Sequence, residues 1–374
     1  MKALVFLAAA FLTAATIPTP DSGLTVHEWG TFTSVAAADG SAAEWFTLGC
    51  GDDLPKFVNE RDFRHSKFSL GGTVRMETPV MYFYSSHEIT ADVKVSFPNG
   101  VMTEWYPRAD FQLYLKNRFS GNMYLSPSNS GMNPKMTNQT GALEWKSVTV
   151  QPGGTSAFPV ESAPSRYYAA RATDAAPLTI GNQHEKFLFY RGVANIPVPL
   201  TALANDDGSV EVAGHAPLLV LFENRGGALG YRNAGTIDGA MKLARPQLNS
   251  SIVSLKADLE SALIAQGLFP KEAAAMIDTW RDSWFEEGSR LIYILPQSAV
   301  DAMLPLEITP SPAKTARVFV GRIELITPET KRIVKDAMGR GDLHTIAAYQ
   351  RFQDPILKSI GEAPRAACAP ASQR

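Results

Sequence analysis

Hydrophobic positions along this chain follow one texture before about Pro246 and another after it. In the first part, apolar residues alternate or run in short blocks bounded by Gly, Pro, Asn and Asp, which is the mark of strands. Val93, Val95 and Phe97 share one parity. Pro98-Asn99-Gly100 follows as a turn, and Val101 to Tyr106 reads as the returning strand. Val80–Tyr84, Leu143–Val150, Arg166–Ala172, Lys186–Tyr190 and Leu218–Glu223 read as further strands. Asp39-Gly40-Ser41, Asn205-Asp206-Asp207-Gly208 and the glycine-rich 224–230 read as hairpin turns. Residues 54–68 mix charge and aromatics without a period and are expected to lie irregularly on the surface. Residues 126–141 are expected to form a long loop.

After Pro246 the period becomes helical. Ile252, Leu255, Leu259 and Leu263 recur at three and four, with Asn249, Ser250 or Ser251 to cap the start and Gly267 to end it. Pro270 opens a second helix at the position proline tolerates, with Ala273, Met276, Ile277, Trp280 and Trp284 on one face. Strand texture returns at Leu291–Leu295 and Arg317–Ile326, where Gly321 breaks the alternation and suggests a bulge. Thr327-Pro328-Glu329 then starts a helix, and Asp342 caps a last one running to about Ile360. The expected architecture is α+β and predominantly β: an antiparallel sandwich-like body with a helical hairpin and a C-terminal helical segment. Residues 21–360 are expected to form one interlocked domain with the helical insertion at about 247–288, and 361–374 a flexible tail.

Residues 1–20 have the shape of a secretory leader. Lys2 precedes a short apolar run from Ala3 to Ala15, small residues offer a cleavage site, and Pro18 and Pro20 end any helix. The expectation is a secreted or periplasmic protein with a Sec-type signal peptide and no transmembrane segment in the mature chain. A 45% hydrophobic and 19% charged composition suits a folded protein, and a net charge of −2 without a basic cluster argues against nucleic acid as a partner. In an oxidising compartment the two cysteines, Cys50 and Cys368, are candidates for a disulfide, with two unpaired thiols as the alternative.

The densest chemistry lies in Val26-His27-Glu28-Trp29-Gly30-Thr31-Phe32-Thr33. Neither parity is cleanly apolar, so a simple half-buried strand is excluded. Either His27 and Glu28 are hydrogen-bonded and partly buried, or they line a pocket with Trp29 as an aromatic wall. Gly30 marks a bulge or a close backbone approach. This run just after a leader resembles a family of uncharacterised secreted bacterial proteins. Met76-Glu77-Thr78-Pro79-Val80, Phe97-Pro98-Asn99-Gly100, Thr103-Glu104-Trp105-Tyr106-Pro107, Glu185 to Gly192 and Asp282 to Glu287 resemble the same family. The resemblance implies a secreted location and carries no activity with it.

Several chemistries are missing. There is no Gly-x-Ser-x-Gly elbow, no phosphate loop, no dinucleotide fingerprint and no Cys-x-x-Cys. His-Glu occurs at 27–28, 87–88 and 184–185 but never in zincin spacing, so no cofactor is expected unless His27, His65, His87, His184 and His215 converge on a metal. The acidic turn at 205–208 lacks the spacing of a calcium loop. Carboxylate chemistry stays open through Glu28, Glu77, Glu104 and Glu185, because a glycosidase needs only two acids suitably apart. Arg191 can clamp a carboxylate or neutralise Glu185. Glu286 and Glu287 close the Trp-bearing helix, where their charges oppose the dipole. The strand-borne aromatics Trp29, Tyr82, Tyr84, Trp105 and Tyr106, without a nucleophile motif, lead to the first expectation: a binding protein for an envelope or extracellular ligand such as a glycan. The alternatives are a glycan-acting hydrolase with paired carboxylates, a metal-dependent enzyme centred on His27, and a structural envelope protein.

Overall fold

The computed structural model describes residues 23–46, 53–60, 71–117, 121–125 and 138–363. In chain order the strands are β1 (Thr25–Val35), β2 (Trp45–Phe46), β3 (Asn59–Glu60), β4 (Gly71–Gly72), β5 (Val74–Tyr84), β6 (Ile89–Pro98), β7 (Gly100–Tyr106), β8 (Asp110–Asn117), β9 (Gly121–Leu125), β10 (Gln139–Val150), β11 (Leu178–Ile180), β12 (Gln183–Glu185), β13 (Leu188–Ala194), β14 (Leu200–Ala204), β15 (Val210–Arg225), β16 (Ala228–Leu243), β17 (Gly288–Ile294), β18 (Leu306–Thr309) and β19 (Lys314–Leu325). The helices are α1 (Ile252–Ala265), α2 (Pro270–Trp284), α3 (Gln297–Met303), α4 (Pro328–Arg340), α5 (Leu343–Ala348) and α6 (Gln353–Ser359). A 3₁₀ helix spans Arg166–Arg171.

The protein is mostly β. One large sheet runs β14-β15-β17-β19-β1-β5-β13-β7-β3, with β16 on the free side of β15, and a second runs β12-β11-β10-β6-β18, with β8 and β9 beside β10. The expected all-antiparallel body is corrected at the centre of the large sheet. There β1 pairs parallel to β19, with Thr25 opposite Lys314 and Val35 opposite Glu324, and antiparallel to β5. Parallel partners need a long crossover, and most of the chain lies between these two strands.

Burial explains why the β1 pattern defied a simple alternation. Every residue from Val26 to Val35 is buried, because both faces of the strand are covered. On one face, Val26, Phe32, Met81 and Phe83 of the large sheet share an apolar cluster with Val93, Val95, Phe97, Leu143 and Trp145 of the second. On the other, Trp29, Val80, Tyr82, Phe189 and Ile292 pack under Leu255, Leu259, Leu263, Met276, Trp280 and Trp284 of α1 and α2. A third, smaller cluster joins Val35 and Trp45 to Val334, Tyr349, Phe352 and Ile356 of the C-terminal helices. The helical hairpin lies where its period places it, with the Ser251 hydroxyl accepting from Val253 N, Gly267 at φ 110° and Pro270 in the first turn.

Four local expectations change. The 98–100 turn does not return the chain to its partner strand: β6 and β7 belong to different sheets, and Asn99 at φ 52° carries the crossing. Arg166–Ala172 is not a strand. Ser165 caps a 3₁₀ helix by accepting from Tyr167 N, and tertiary contacts override the extended preference of its tyrosines. Gly321 is not a bulge, since β19 keeps register with both β1 and β17. It lies under an aromatic ring, where an added Cβ would sit 2.0 Å from Tyr293 Cζ. The last helix to Ile360 is broken into α5, a 3₁₀ turn and α6. At Gly30 the close approach is present: a Cβ there would meet the Phe319 ring at 2.7 Å and Pro79 at 3.0 Å. The pairing of β1 with β5 shifts at this point, where Thr78 adopts φ 46°. No helix among the described residues is long and apolar enough to cross a membrane. Cys50, Cys368 and His65 lie outside the described residues, as do residues 1–22 and 364–374.

Candidate functional site

The odd-numbered residues of β1 face the helices, so His27 points at the first turn of α2. His27 Nδ1 lies 2.8 Å from Glu272 Oε2, and neither side chain is exposed. Glu272 also accepts from Tyr84 Oη at 2.8 Å and from the Phe269 backbone N at 2.7 Å. The last bond is half of a capping box, in which an acid three residues into a helix reaches back to the chain before it. A carboxylate there also meets the positive end of the helix dipole. Phe269 packs on both partners, 4.5 Å from the His27 ring and edge-on to Tyr84 at 5.0 Å. Burial, and then the Glu272 charge, push the Tyr84 hydroxyl far above its ordinary range, so it stays protonated.

Tyr84 is partly exposed and forms one wall of an open cleft of about 350 Å³. Ser85, Ser156, Phe158, Asp174 and Lys186 line the rest. Lys186 Nζ donates to Thr173 O at 2.8 Å, and burial lowers its amine despite Asp174 nearby. Asp174 in turn holds Lys271 Nζ at 2.5 Å.

The opposite end of the same covered face is a lattice of arginines and carboxylates. Glu77 Oε1 accepts from Arg351 Nη2, and Glu77 is 1% exposed. Burial alone would raise its carboxyl, but the guanidiniums of Arg351 and Arg75 hold it well below the usual range. Arg322, wholly buried, donates to Ser283 Oγ at 2.8 Å and to Glu286, and stacks 5.0 Å from the Phe352 ring centre. Burial acts to raise the Glu286 carboxyl, and Arg322 and Arg351 reverse the direction. Arg290 bonds Glu324 at 3.0 Å and donates to the carbonyls of Trp284, Glu286 and Glu287. Arg191 clamps Asp53 with bonds of 2.8 and 2.9 Å, and Arg166 reaches the same carboxylate at 2.7 Å. Arg191 therefore neutralises Asp53 and not Glu185.

The other candidates have their own partners. Glu185 is held by Arg171 at 2.6 and 2.9 Å and by the Tyr167 hydroxyl at 3.1 Å. Glu28 points to the opposite face of the sheet, where it accepts from Arg317 Nε at 2.6 Å and from Tyr190. Glu104 is half-buried, accepts from Thr103, and lies across the ladder from Arg191. Three of the four candidate glutamates are thus each tied to a separate arginine. His27, His87, His184 and His215 have separate neighbours, and no group of three metal-ligating side chains occurs among the described residues.

Of the aromatic candidates, Trp29 and Tyr82 are fully buried and present no face to a ligand, Tyr82 donating to Ala170 O at 2.6 Å. Tyr106 is 4% exposed, packed by Phe57, and Trp105 stacks on Phe111. Tyr84 alone of the five lines the described cleft. Sequence reasoning missed Glu272, whose place three residues into a Pro-led helix is a readable capping signal. It also missed Asp53, Arg317, Arg322 and Arg351, which carry no local signal.

No family model matches the chain, and no curated protein matches it. Among solved structures it is similar to a yeast delta-COP-I mu-homology domain, with a TM-score of 0.30, 9% identity and coverage of 83% of this chain and 98% of that one. The same domain complexed with a WxWxV peptide aligns over the same shares at a TM-score of 0.27 and 9% identity. At these scores the likeness carries no argument about fold or function.

Proposed function

We propose that this is a secreted or periplasmic binding protein whose cleft at Tyr84 receives an envelope or extracellular ligand, a glycan in the first place. The observation that carries the reading is the cleft itself. It places a partly exposed aromatic ring, fixed from behind by a buried carboxylate, beside hydroxyls and a second ring at Phe158. Sugar sites combine such a ring with a few fixed polar groups. The leader-like residues 1–20 support an extracytoplasmic location. The two facing sheets are read as a sandwich-like body, and Cys50–Cys368 as a disulfide. Supporting that bond, the segments that lead to the two cysteines meet: Lys358 Nζ lies 5.6 Å from the Phe46 ring centre, and Trp45 packs on Phe352 at 5.4 Å. The hydrolase reading has less support, because Glu28, Glu77 and Glu185 are each consumed by an arginine.

Glycan-array screening of the secreted protein, followed by titration calorimetry on the hits, tests the reading. Binding that collapses in Tyr84→Ala supports it. Absence of any hit, or hits indifferent to Tyr84→Ala, defeats it.

A further inference from the structure

We infer that the buried His27–Glu272 pair sets the hydrogen-bond polarity of the cleft, so that it takes a neutral polyhydroxylated ligand delivering a hydroxyl hydrogen to Tyr84. This rests on the cleft being the ligand site. Glu272 is the common acceptor for three donors: His27 Nδ1, Tyr84 Oη and Phe269 N. A carboxylate can only accept, so each partner must turn a hydrogen toward it. For the imidazole this selects the tautomer protonated on Nδ1, because the other would aim a lone pair at the carboxylate. His27 Nε2 is buried without a hydrogen-bond partner, and a proton there would be an unpaired donor in an apolar layer. For Tyr84 the consequence faces outward. Its only hydrogen is spent on Glu272, so its oxygen offers lone pairs to whatever enters the cleft.

The other charges along the cleft point the same way. Asp174 is a second acceptor there, and its partner Lys271 is already engaged with it. Lys186 is turned to the Thr173 carbonyl. An anionic ligand would therefore meet two acceptors, Tyr84 Oη and the Asp174 carboxylate, and one ammonium, Lys186, which also donates to Thr173 O, whereas a hydroxyl donor would meet a fixed acceptor beside an aromatic face.

The test uses the secreted protein, with cellohexaose, maltohexaose and chitohexaose as neutral probes and hexagalacturonate as the anionic one. The ligand-independent arm is ¹⁵N NMR of the His27 ring. The expected results are a hydrogen on His27 Nδ1 and binding of a neutral oligosaccharide. Affinity should fall about 3- to 10-fold in Tyr84→Phe, which keeps the ring and removes the acceptor. It should fall about 30-fold or more in Tyr84→Ala. Tighter binding of hexagalacturonate, or a Tyr84→Phe variant that binds as well as the parent while Tyr84→Ala does not, overturns the polarity and leaves the site standing. A His27 ring without a hydrogen on Nδ1 overturns its pairing with Glu272 directly. If no probe binds, or Tyr84→Ala has no effect, the cleft reading falls and takes the ligand class with it.

Discussion

The two ends of α2 rest on one face of one sheet and handle charge in opposite ways. At the N-terminal end a single carboxylate, Glu272, gathers His27, Tyr84 and a backbone N–H, and the arrangement opens through Tyr84 onto a cleft. At the C-terminal end Glu286 follows the last turn, where its charge opposes the dipole, and Arg322 and Arg351 compensate it. Arg290 caps the carbonyls left over there. One end is polarised and reaches the surface, while the other is closed upon itself. A buried ion lattice of the second kind adds little net stability but makes removal of any one member costly. We therefore read the lattice as architecture and propose the Tyr84 corner as the working surface.

The largest test of this contrast is Arg322→Ala. It should cost about 3–5 kcal/mol in urea unfolding, because Glu286 and Glu324 lose a wholly buried partner, and it should leave affinity at the cleft unchanged. A loss below 1 kcal/mol would mean that the lattice is not tightly coupled. Glu272→Gln comes next, at about 1.5–3 kcal/mol, since charge-assisted bonds are replaced by an amide facing three donors. Unlike Arg322→Ala, it should also weaken binding.

Acid separates the two ends by a slope. The folded-state pKa of Glu77 lies below the 4.5 of an ordinary glutamate, so the unfolded chain takes up protons first. Its contribution is complete above about pH 4.5 and declines as pH falls toward the folded value, by at most about 1.4 kcal/mol per pH unit. Arg351→Ala should flatten that slope in denaturation measured from pH 6 to pH 2.5, and Tyr84→Phe should not. The smallest effect is the stability of Tyr84→Phe itself, about 0.5–1.5 kcal/mol by thermal or urea melting, since Glu272 keeps two other donors. A larger loss would recast Tyr84 as a structural strut.

Local elements were legible where their cause is local. The α1–α2 hairpin could be read from a three–four period, Ser251, Gly267 and Pro270, and all of these act within one turn of the chain. The turn at 205–208 was legible because Gly208 supplies φ 79° and Asp207 bonds Ser209 N, two residues on. The candidate site was legible only as a set of residue types. His27 and Tyr84 stood out for their chemistry, but nothing near them names Glu272, 245 positions away from His27. Trp29 and Tyr82 looked like ligand platforms because an aromatic on a strand has the same signature whether a ligand or a helix covers it.

By itself, then, the order of residues determined which segments extend, which coil and where the chain turns, because steric preference and hydrophobic period act over a few residues. Only the folded molecule decided that β1 lies parallel to β19, that both faces of β1 are covered, and which arginine each glutamate meets. Those outcomes depend on Coulombic and packing energies between groups hundreds of positions apart. They become defined only when the sheet brings the groups within a few ångströms of one another.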